Sequence, residues 1–194
     1  MSGFPVGLLL AAGSSRRFGS NKLLYPVRNG TPMLLLAAQQ LVSVLPDSII
    51  VINQQLLPYR EPLQQLGLQV VVNEQAQQGM GSSIACGVRA SEAATGWLIT
   101  LADMPYLKTQ TIQRLVARLS RGAAIVAPVI GQQRGHPVGF CQDYKAALLA
   151  LHDDIGARQI IADHQQQLEL VVTDDPGIIR DVDHVSDLVV SGTA

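Results

Sequence analysis

A turn of small and cationic residues follows the first apolar stretch of the chain, residues 6–12. The turn contains two glycines and three cations, namely Gly13, Gly19, Arg16, Arg17 and Lys22. Glycine lets the backbone come close to an anion, and N–H groups aimed inward form an anion-binding nest. Open α/β sheets bind ligands at the carboxyl ends of their strands. Residues 10–22 are therefore interpreted as a nucleotide-phosphate site; a solvated connection between a strand and a helix is the alternative.

An aspartate in the middle of the chain could place a carboxylate in the same crevice. Asp103 comes just after the apolar run 97–101, and Pro105 keeps the chain extended as it leaves the sheet. Mg²⁺ is usually held by one or two carboxylates together with phosphate and water. Asp103 is therefore a candidate metal ligand, and a cap on a turn is its alternative role.

Two of five acidic residues near the C-terminus are candidates for a second metal carboxylate. Residues 178–182 are predicted to be extended. Asp181 and Asp183 are two residues apart along this extended stretch, so their side chains point the same way. Either could contribute if the segment returns to the crevice. The remaining three are interpreted as solvated charges: Asp174, Asp175 and Asp187.

A short loop with the sequence Arg134-Gly135-His136-Pro137 follows the fifth predicted strand. A single histidine is more often structural than catalytic. This one lies in a glycine and proline loop at the end of a strand, where binding residues of α/β proteins concentrate. The loop is interpreted as a substrate-recognition loop, and a structural histidine is the alternative.

Apolar runs alternate with helical patterns, which predicts βα units on a mostly parallel sheet. Strands are predicted at residues 6–12, 48–53, 70–73, 97–101, 123–129, 138–141 and 169–172. Helices are predicted to residue 44 from an N-cap at Thr31 with Pro32 in first position, at 58–66, 82–94, after a cap at Thr109, at 143–151, at 157–163 and as a final turn at 186–190. Residues 1–194 are expected to form one domain, with a C-terminal elaboration from about residue 142.

The overall composition indicates a globular protein with a small anionic ligand. The 194 residues are 47% hydrophobic and 15% charged, and the net charge of −1 gives no general attraction to nucleic acid or to acidic membranes. Residues 1–46 nevertheless contain four cations and no acidic residue.

Two cysteines, Cys86 and Cys141, make neither a disulfide framework nor a zinc pattern. Reduced, half-buried thiols and a cytoplasmic location are expected, since no signal peptide or membrane-spanning run is recognisable.

Two common nucleotide-binding motifs are absent. Gly13 and Gly19 are spaced one residue too far apart for a P-loop, and no Gly-Lys pair follows. The dinucleotide fingerprint is missing after the first strand, and Ile84 stands where a third glycine would be needed after Gly79-Met80-Gly81. An NAD-dependent oxidoreductase is therefore disfavoured.

Taken together, these residues resemble the MobA/MocA-like nucleotidyltransferases, and most of all the molybdenum cofactor cytidylyltransferases. Residues 10–22 are similar to the family signature LAAGxSxRxGxxK, in which Arg17 and Lys22 match the residues that contact the triphosphate. The resemblance implies a Rossmann-like three-layer α/β/α fold of the nucleotide-diphospho-sugar transferase type, with a mostly parallel sheet.

The resemblance also implies roles for individual residues. Asp103 and Asp183 match the metal ligands, and Asp103 is counted with Arg17 and Lys22 as catalytic. The nucleotide is expected to contact Ala11, Ala12, Gly13, Asn73, Gly81 and Ser82. The acceptor is expected to contact Gly135, His136, Pro137 and Arg158, the last of which lies in an element resembling GDxGAR.

The implied reaction is an Mg²⁺-dependent transfer of CMP from CTP to the terminal phosphate of a molybdopterin-type cofactor, with release of pyrophosphate. Ala12 favours CTP, because Leu-Ala-Ala-Gly accompanies cytidine nucleotides among these proteins and Leu-Ala-Gly-Gly accompanies guanine nucleotides. A molybdoenzyme or its chaperone is the implied recipient. The alternatives are another phosphorylated acceptor, GTP as donor, or a non-catalytic protein that binds nucleotide and delivers cofactor.

Overall fold

A sheet of eight strands runs through the middle of the protein. The computed structural model describes residues 5–13, 21–152, 154, 156–183 and 187. Within these residues the strands are β1 (Val6–Ala11), β2 (Pro26–Arg28), β3 (Thr31–Pro32), β4 (Ile49–Ile52), β5 (Gln69–Val72), β6 (Gly96–Leu101), β7 (Ile125–Ile130), β8 (Gln133–Arg134), β9 (Val138–Cys141) and β10 (Leu168–Val172).

Six α-helices of the described residues flank the sheet. They are α1 (Met33–Val42), α2 (Arg60–Gln65), α3 (Met80–Arg89), α4 (Thr109–Ser120), α5 (Lys145–Leu149) and α6 (Arg158–Asp163). Short 3₁₀ helices are Lys22–Leu24, Gln54–Tyr59, Ala76–Gln78, Gln142–Tyr144, Gln165–Gln167 and Pro176–Ile179. In the described part of the chain, none of the helices has the length and apolar character needed to cross a membrane.

The sheet has the order β10-β7-β9-β6-β1-β4-β5, with β8 paired to β7. β1 pairs in parallel with both β4 and β6, β4 with β5, and β7 with β10. β9 is antiparallel to both of its neighbours, β6 and β7. The predicted mostly parallel sheet is confirmed. Its four adjacent parallel strands β6, β1, β4 and β5 all end at one edge.

Alternate residues of each strand pack on opposite faces of the sheet. Leu9 of β1 belongs to an apolar cluster with residues of α1, α2 and α4. Leu8 belongs to a second cluster with residues of α3, α5 and α6. Because both faces are covered, β1 is apolar along its whole length, as parallel strands usually are. The three-layer α/β/α prediction is therefore confirmed.

The predicted start of the first helix was wrong. Thr31 and Pro32 form β3, which pairs antiparallel with β2, and α1 begins only at Met33. The turn between these two strands is Asn29-Gly30, and both residues have positive φ angles, of 52° and 75°. Asn-Gly is the strongest short sequence signal for such a hairpin, and it was available in the sequence.

Three smaller predictions also needed correction. Thr109 is the first residue of α4 rather than its cap, which is Lys108. The predicted loop after β7 contains β8, which folds back on β7. The segment predicted to be extended from residue 178 begins instead in the 3₁₀ helix Pro176–Ile179. The helical turn predicted at residues 186–190 lies outside the described residues except for Asp187. Cys86 and Cys141 are free and half-buried, as expected.

Asp175 is buried, so its interpretation as a solvated charge was wrong. Its Oδ2 accepts hydrogen bonds from the backbone N–H of Lys108, at 2.8 Å, and from Oγ1 of Thr111, at 2.7 Å. Its Oδ1 accepts a third from the N–H of Gly177, at 2.9 Å. The carboxylate therefore fastens the chain after β10 to the first turn of α4.

Replacing Asp175 with alanine is expected to lower the free energy of unfolding by about 3 kcal/mol, because buried donors lose a charged acceptor. Urea unfolding followed by circular dichroism measures the change. Asp174→Ala is the matched control, since the Asp174 side chain is 94% exposed, and it should leave the unfolding midpoint unchanged. Equal effects of the two substitutions would contradict the fastening role.

Candidate active site

A crevice with two compartments lies at the carboxyl ends of β6, β1, β4 and β5. The residues that follow these strands line the first compartment, of about 600 Å³: Asp103 after β6, Ala12 and Gly13 after β1, Asn53 after β4 and Asn73 after β5. We call it the glycine compartment. The second, of about 450 Å³, is lined by His136 and is called the histidine compartment. Both share Met80, Leu101, Asp103 and Asp154.

Lys22 forms ion pairs with two carboxylates, one of which, that of Asp103, lines both compartments. Its Nζ donates to Oδ2 of Asp103 at 2.9 Å and to Oδ1 of Asp183 at 2.8 Å. The side chains of Lys22 and Asp103 are 16% and 23% exposed, and that of Asp183 is 48% exposed. Burial on its own would lower the pKa of Lys22, but attraction to the two carboxylates and the hydrogen bonds with them outweigh this, so its pKa is raised.

Backbone contacts hold these three residues in place. Ala102 N–H donates to the carbonyl of Leu10 at 3.0 Å, which fixes Asp103 beside β1. Val182 N–H donates to the carbonyl of Asp103 at 2.9 Å, which brings Asp183 to the same point. Lys22 opens a 3₁₀ helix capped by Asn21, whose Oδ1 accepts from Leu23 N–H at 3.2 Å.

The two carboxylates fit a hard divalent cation. Asp103 Oδ1 is buried and has no hydrogen-bond partner among the described residues, so one acceptor oxygen remains for another ligand. The described residues contain no group of three or more metal-ligating side chains. Two carboxylates completed by phosphate and water are a usual Mg²⁺ site. Of the two aspartates considered for the second ligand, Asp183 contacts the same Lys22 ammonium as Asp103. Asp181 lines the histidine compartment instead.

Asn73 organises the loop after β5. Its Nδ2 donates to the hydroxyls of Ser82, at 2.9 Å, and Ser83, at 3.0 Å, and its Oδ1 accepts from Gln75 N–H at 3.0 Å. Ala11, Ala12, Gly13 and Asn73 all line the glycine compartment. Gly81 and Ser82 are buried and line neither compartment, whereas Ser83 lines the glycine compartment.

Asn53 is a residue of the crevice that sequence reasoning missed. Its Nδ2 donates to the carbonyl of Ala12 at 3.1 Å, and its Oδ1 accepts from Gln55 N–H at 3.0 Å. Asn53 therefore fixes the backbone where β1 enters the cationic turn. An asparagine as the last residue of the predicted strand 48–53 was the available signal. Arg17, the predicted second triphosphate contact, lies outside the described residues.

The Gly-His-Pro loop rests on the 3₁₀ helix Pro176–Ile179. Gly135 N–H donates to the carbonyl of Pro128 at 2.9 Å, and His136 N–H donates to the carbonyl of Ile178 at 2.8 Å. A Cβ atom at Gly135 would collide with that Ile178 carbonyl, so the close approach requires glycine. The His136–Pro137 peptide bond is cis.

The histidine compartment has apolar walls and a polar rim. Gly135, His136 and Arg158 line it together with mostly aliphatic side chains, whereas the buried Pro137 does not. Nδ1 of His136 is buried and has no hydrogen-bond partner among the described residues. Burial lowers the pKa of His136, and the charges of Arg134 and Arg158 lower it further, against the opposing effects of Asp103 and Asp181.

The lowered pKa of His136 predicts a loss of stability in mild acid. The unfolded chain binds a proton near the ordinary pKa of about 6.5, before the folded chain does. The stabilisation is therefore present above about pH 6.5 and declines as the pH falls through the folded-state pKa. Urea unfolding at about pH 7.5 and 5.5 measures this decline, which His136→Asn should reduce. An unchanged pH dependence in that variant would contradict the prediction.

Comparison with known proteins identifies the family. The MobA-like NTP transferase domain matches residues 7–168, and the chain belongs to this family of nucleotidyltransferases. It is 31% identical over 193 residues to the purine catabolism protein PucB of Bacillus subtilis (strain 168), covering 94% of this chain and 93% of PucB. It is equally 31% identical, over 194 residues and 94% of both chains, to nicotine blue oxidoreductase of Paenarthrobacter nicotinovorans.

A third relative has a name closer to the predicted reaction. The chain is 28% identical over 126 residues to molybdenum cofactor guanylyltransferase of Desulfosudis oleivorans, covering 63% of this chain and 58% of that protein. The three relatives are thus named as a purine catabolism protein, an oxidoreductase and a guanylyltransferase.

Solved structures show the same fold. Rv0371c from Mycobacterium tuberculosis H37Rv superposes with a TM-score of 0.82 at 23% identity, covering 96% of both chains. Its complex with manganese has a TM-score of 0.76. A nucleotidyl transferase from Methanothermobacter thermautotroptrophicus has a TM-score of 0.80 at 21% identity, covering 95% of this chain and 94% of that one.

Proposed function

We propose that this protein transfers CMP from CTP to the terminal phosphate of a molybdopterin-type cofactor and releases pyrophosphate. The observation that carries the proposal is the cluster of Lys22, Asp103 and Asp183, in which Asp103 lines both compartments. A transferase that joins two molecules needs two binding sites that meet at the reacting atoms. A relative named molybdenum cofactor guanylyltransferase supports the class of acceptor.

The glycine compartment suits the nucleotide. Its volume of about 600 Å³ lies within the usual range for small-molecule pockets. Side-chain amides of Asn53, Gln54, Gln55 and Gln77 line it, and amides can both donate to and accept from the edge of a base. Ala12 is only 3% exposed, and its methyl group takes up room that a glycine would leave open, which supports the smaller pyrimidine base.

The histidine compartment suits an acceptor with a ring and a phosphate. Its walls are apolar, while Arg134 and Arg158 supply positive charge at its rim. A terminal phosphate is mostly dianionic at pH 7, since its second pKa is about 6. Such an oxygen is nucleophilic without a general base. In the proposed step it bonds to the α-phosphorus as the bond to the β-phosphate breaks, and pyrophosphate leaves with those electrons.

Asp103 and Asp183 would hold the divalent cation. When bound, Mg²⁺ supplies positive charge that stabilises the phosphate oxygens in the transition state. The structural neighbour Rv0371c has been crystallised with manganese, which supports a divalent metal here. Lys22 and Arg17 would add positive charge along the triphosphate, and positioning together with this charge stabilisation would supply most of the rate enhancement.

A pyrophosphate-release assay with each of the four nucleoside triphosphates, with and without molybdopterin cofactor, tests the proposal. Release is expected with CTP only when the cofactor is present. Release with GTP would identify GTP as the donor, and release with another phosphorylated compound would identify that compound as the acceptor. NADPH oxidation is measured in parallel, because one relative is named an oxidoreductase. Absence of turnover with every triphosphate would favour a binding and delivery protein.

Asp103→Ala and Lys22→Ala are each expected to lower turnover by roughly 10²–10³-fold, as the loss of single electrostatic contacts does in other enzymes. Steady-state pyrophosphate release gives the rates, and circular dichroism checks the fold. Lys108→Ala is the charge-matched control, because the Lys108 side chain is 51% exposed and pairs only loosely with Asp174, at 3.9 Å. Near-normal turnover in either site variant would remove the role assigned to that residue.

Ala12→Gly is expected to shift nucleotide preference toward GTP. One methyl group in a pocket changes discrimination by about tenfold or more, so the ratio of kcat/KM for CTP to that for GTP should fall by about that factor. Competition between the two nucleotides in one assay measures the ratio directly. Weaker use of both nucleotides with an unchanged ratio would contradict the role of Ala12.

A further inference from the structure

The Lys22 ammonium engages the same two carboxylates that fit a divalent cation. Its Nζ lies 2.9 Å from Asp103 Oδ2 and 2.8 Å from Asp183 Oδ1. An ammonium group has three donors, and two of them are directed at these oxygens. Mg²⁺ binds carboxylate oxygens at about 2.0–2.1 Å. A cation ligated by these same two oxygens would therefore occupy the space that the ammonium fills.

The charges of the cluster oppose simultaneous binding of the Lys22 ammonium and a divalent cation to these two oxygens. Two carboxylates and one ammonium carry one net negative charge, which repels a triphosphate. Adding a divalent cation changes this to one net positive charge, which attracts it. Two cations held at contact distance repel each other strongly in a partly buried site, and Lys22 is only 16% exposed. Metal binding through Asp103 Oδ2 and Asp183 Oδ1 thus requires Lys22 to move.

The Lys22 ammonium can contact a triphosphate instead of the two carboxylates. It lines the glycine compartment together with Ala12 and Gly13, where the proposed triphosphate would lie. Its four-carbon stem is flexible, and its compact charge suits a phosphate oxygen. A triphosphate could thus take the ammonium from the carboxylates while bringing in the metal bound to its own oxygens.

We propose that Lys22 and the divalent cation compete for Asp103 and Asp183, so that the site takes a metal–triphosphate complex in preference to the free metal. This inference rests on the proposed function. It gives Lys22 two successive roles, first as the cation that holds the two carboxylates together and then as a contact of the triphosphate. The same lysine therefore weakens binding of metal alone and strengthens binding of the metal–nucleotide complex.

Calorimetric titration of Mn²⁺ into the protein without nucleotide tests the competition. Lys22→Met is expected to bind Mn²⁺ about tenfold or more tightly than the natural protein, because a competing cation is gone. Lys22→Arg keeps a charged donor and should bind Mn²⁺ as weakly as the natural protein. Lys108→Met removes a charge from an exposed side chain and should leave Mn²⁺ affinity unchanged. Asp103→Asn should weaken binding in every background.

The outcomes separate this inference from the proposed function. If Asp103→Asn weakens Mn²⁺ binding but Lys22→Met leaves it unchanged, the competition is overturned while the metal site stands. If the natural protein binds no Mn²⁺ even with CTP, the metal site is overturned and the competition with it. A crystal structure with Mn²⁺ and CTP gives a second readout: Lys22 Nζ is expected on a phosphate oxygen, and retention of both carboxylate contacts would overturn the proposal.

Discussion

The geometry of the crevice depends on one ammonium group shared by two carboxylates. Lys22 is 81 residues from Asp103 and 161 residues from Asp183 in the sequence, yet it contacts both within hydrogen-bond distance. Taking such charges partly out of water is costly unless they remain paired. Each charge of the cluster therefore stabilises the position of the other two. Lys22, the loop after β6 and the C-terminal segment meet at this point.

The C-terminal segment serves both compartments. The carbonyl of Ile178 accepts from His136 N–H, while Val182 N–H binds the loop of Asp103 and so delivers Asp183 to Lys22. Upstream, the buried Asp175 fastens the same segment to α4. Downstream, the Arg180 guanidinium lies over the Tyr106 ring, 4.8 Å from its centroid. A shift of this segment would move a wall of the histidine compartment and the Asp183 carboxylate together.

The sequence predicts those parts of this structure that local chemistry determines. Parallel strands covered on both faces are apolar throughout, so β1 and β6 were each predicted to within one residue of their observed bounds. The meeting of Asp103 with the cationic turn was inferred from strand ends alone, and the pair Lys22–Asp103 lies there. The residue pattern alone leaves the choice between Asp181 and Asp183 open, because it depends on the path of an irregular segment, and only the family resemblance selects Asp183.

Contacts between distant residues could not be predicted in the same way. Asp175 resembles its neighbour Asp174 in the sequence, and only the fold brings the Thr111 hydroxyl, 64 residues away, to its carboxylate. The amide of Asn53 is distinguished by its hydrogen bond to a carbonyl just after another strand, that of Ala12. Such roles are set by packing, whereas residue type and spacing report only local geometry.

The side-chain amide of Asn73 uses its hydrogen bonds to hold the loop after β5. Both hydrogens of its Nδ2 have protein acceptors, in Ser82 and Ser83, and its Oδ1 already accepts from Gln75 N–H. Donation from Nδ2 to a base would break one of these hydrogen bonds, which is unfavourable, whereas Oδ1 has a second lone pair that can accept another. Asn73 therefore shapes the wall of the glycine compartment through the loop it holds. Ser83, whose hydroxyl accepts from Asn73, lines the same compartment.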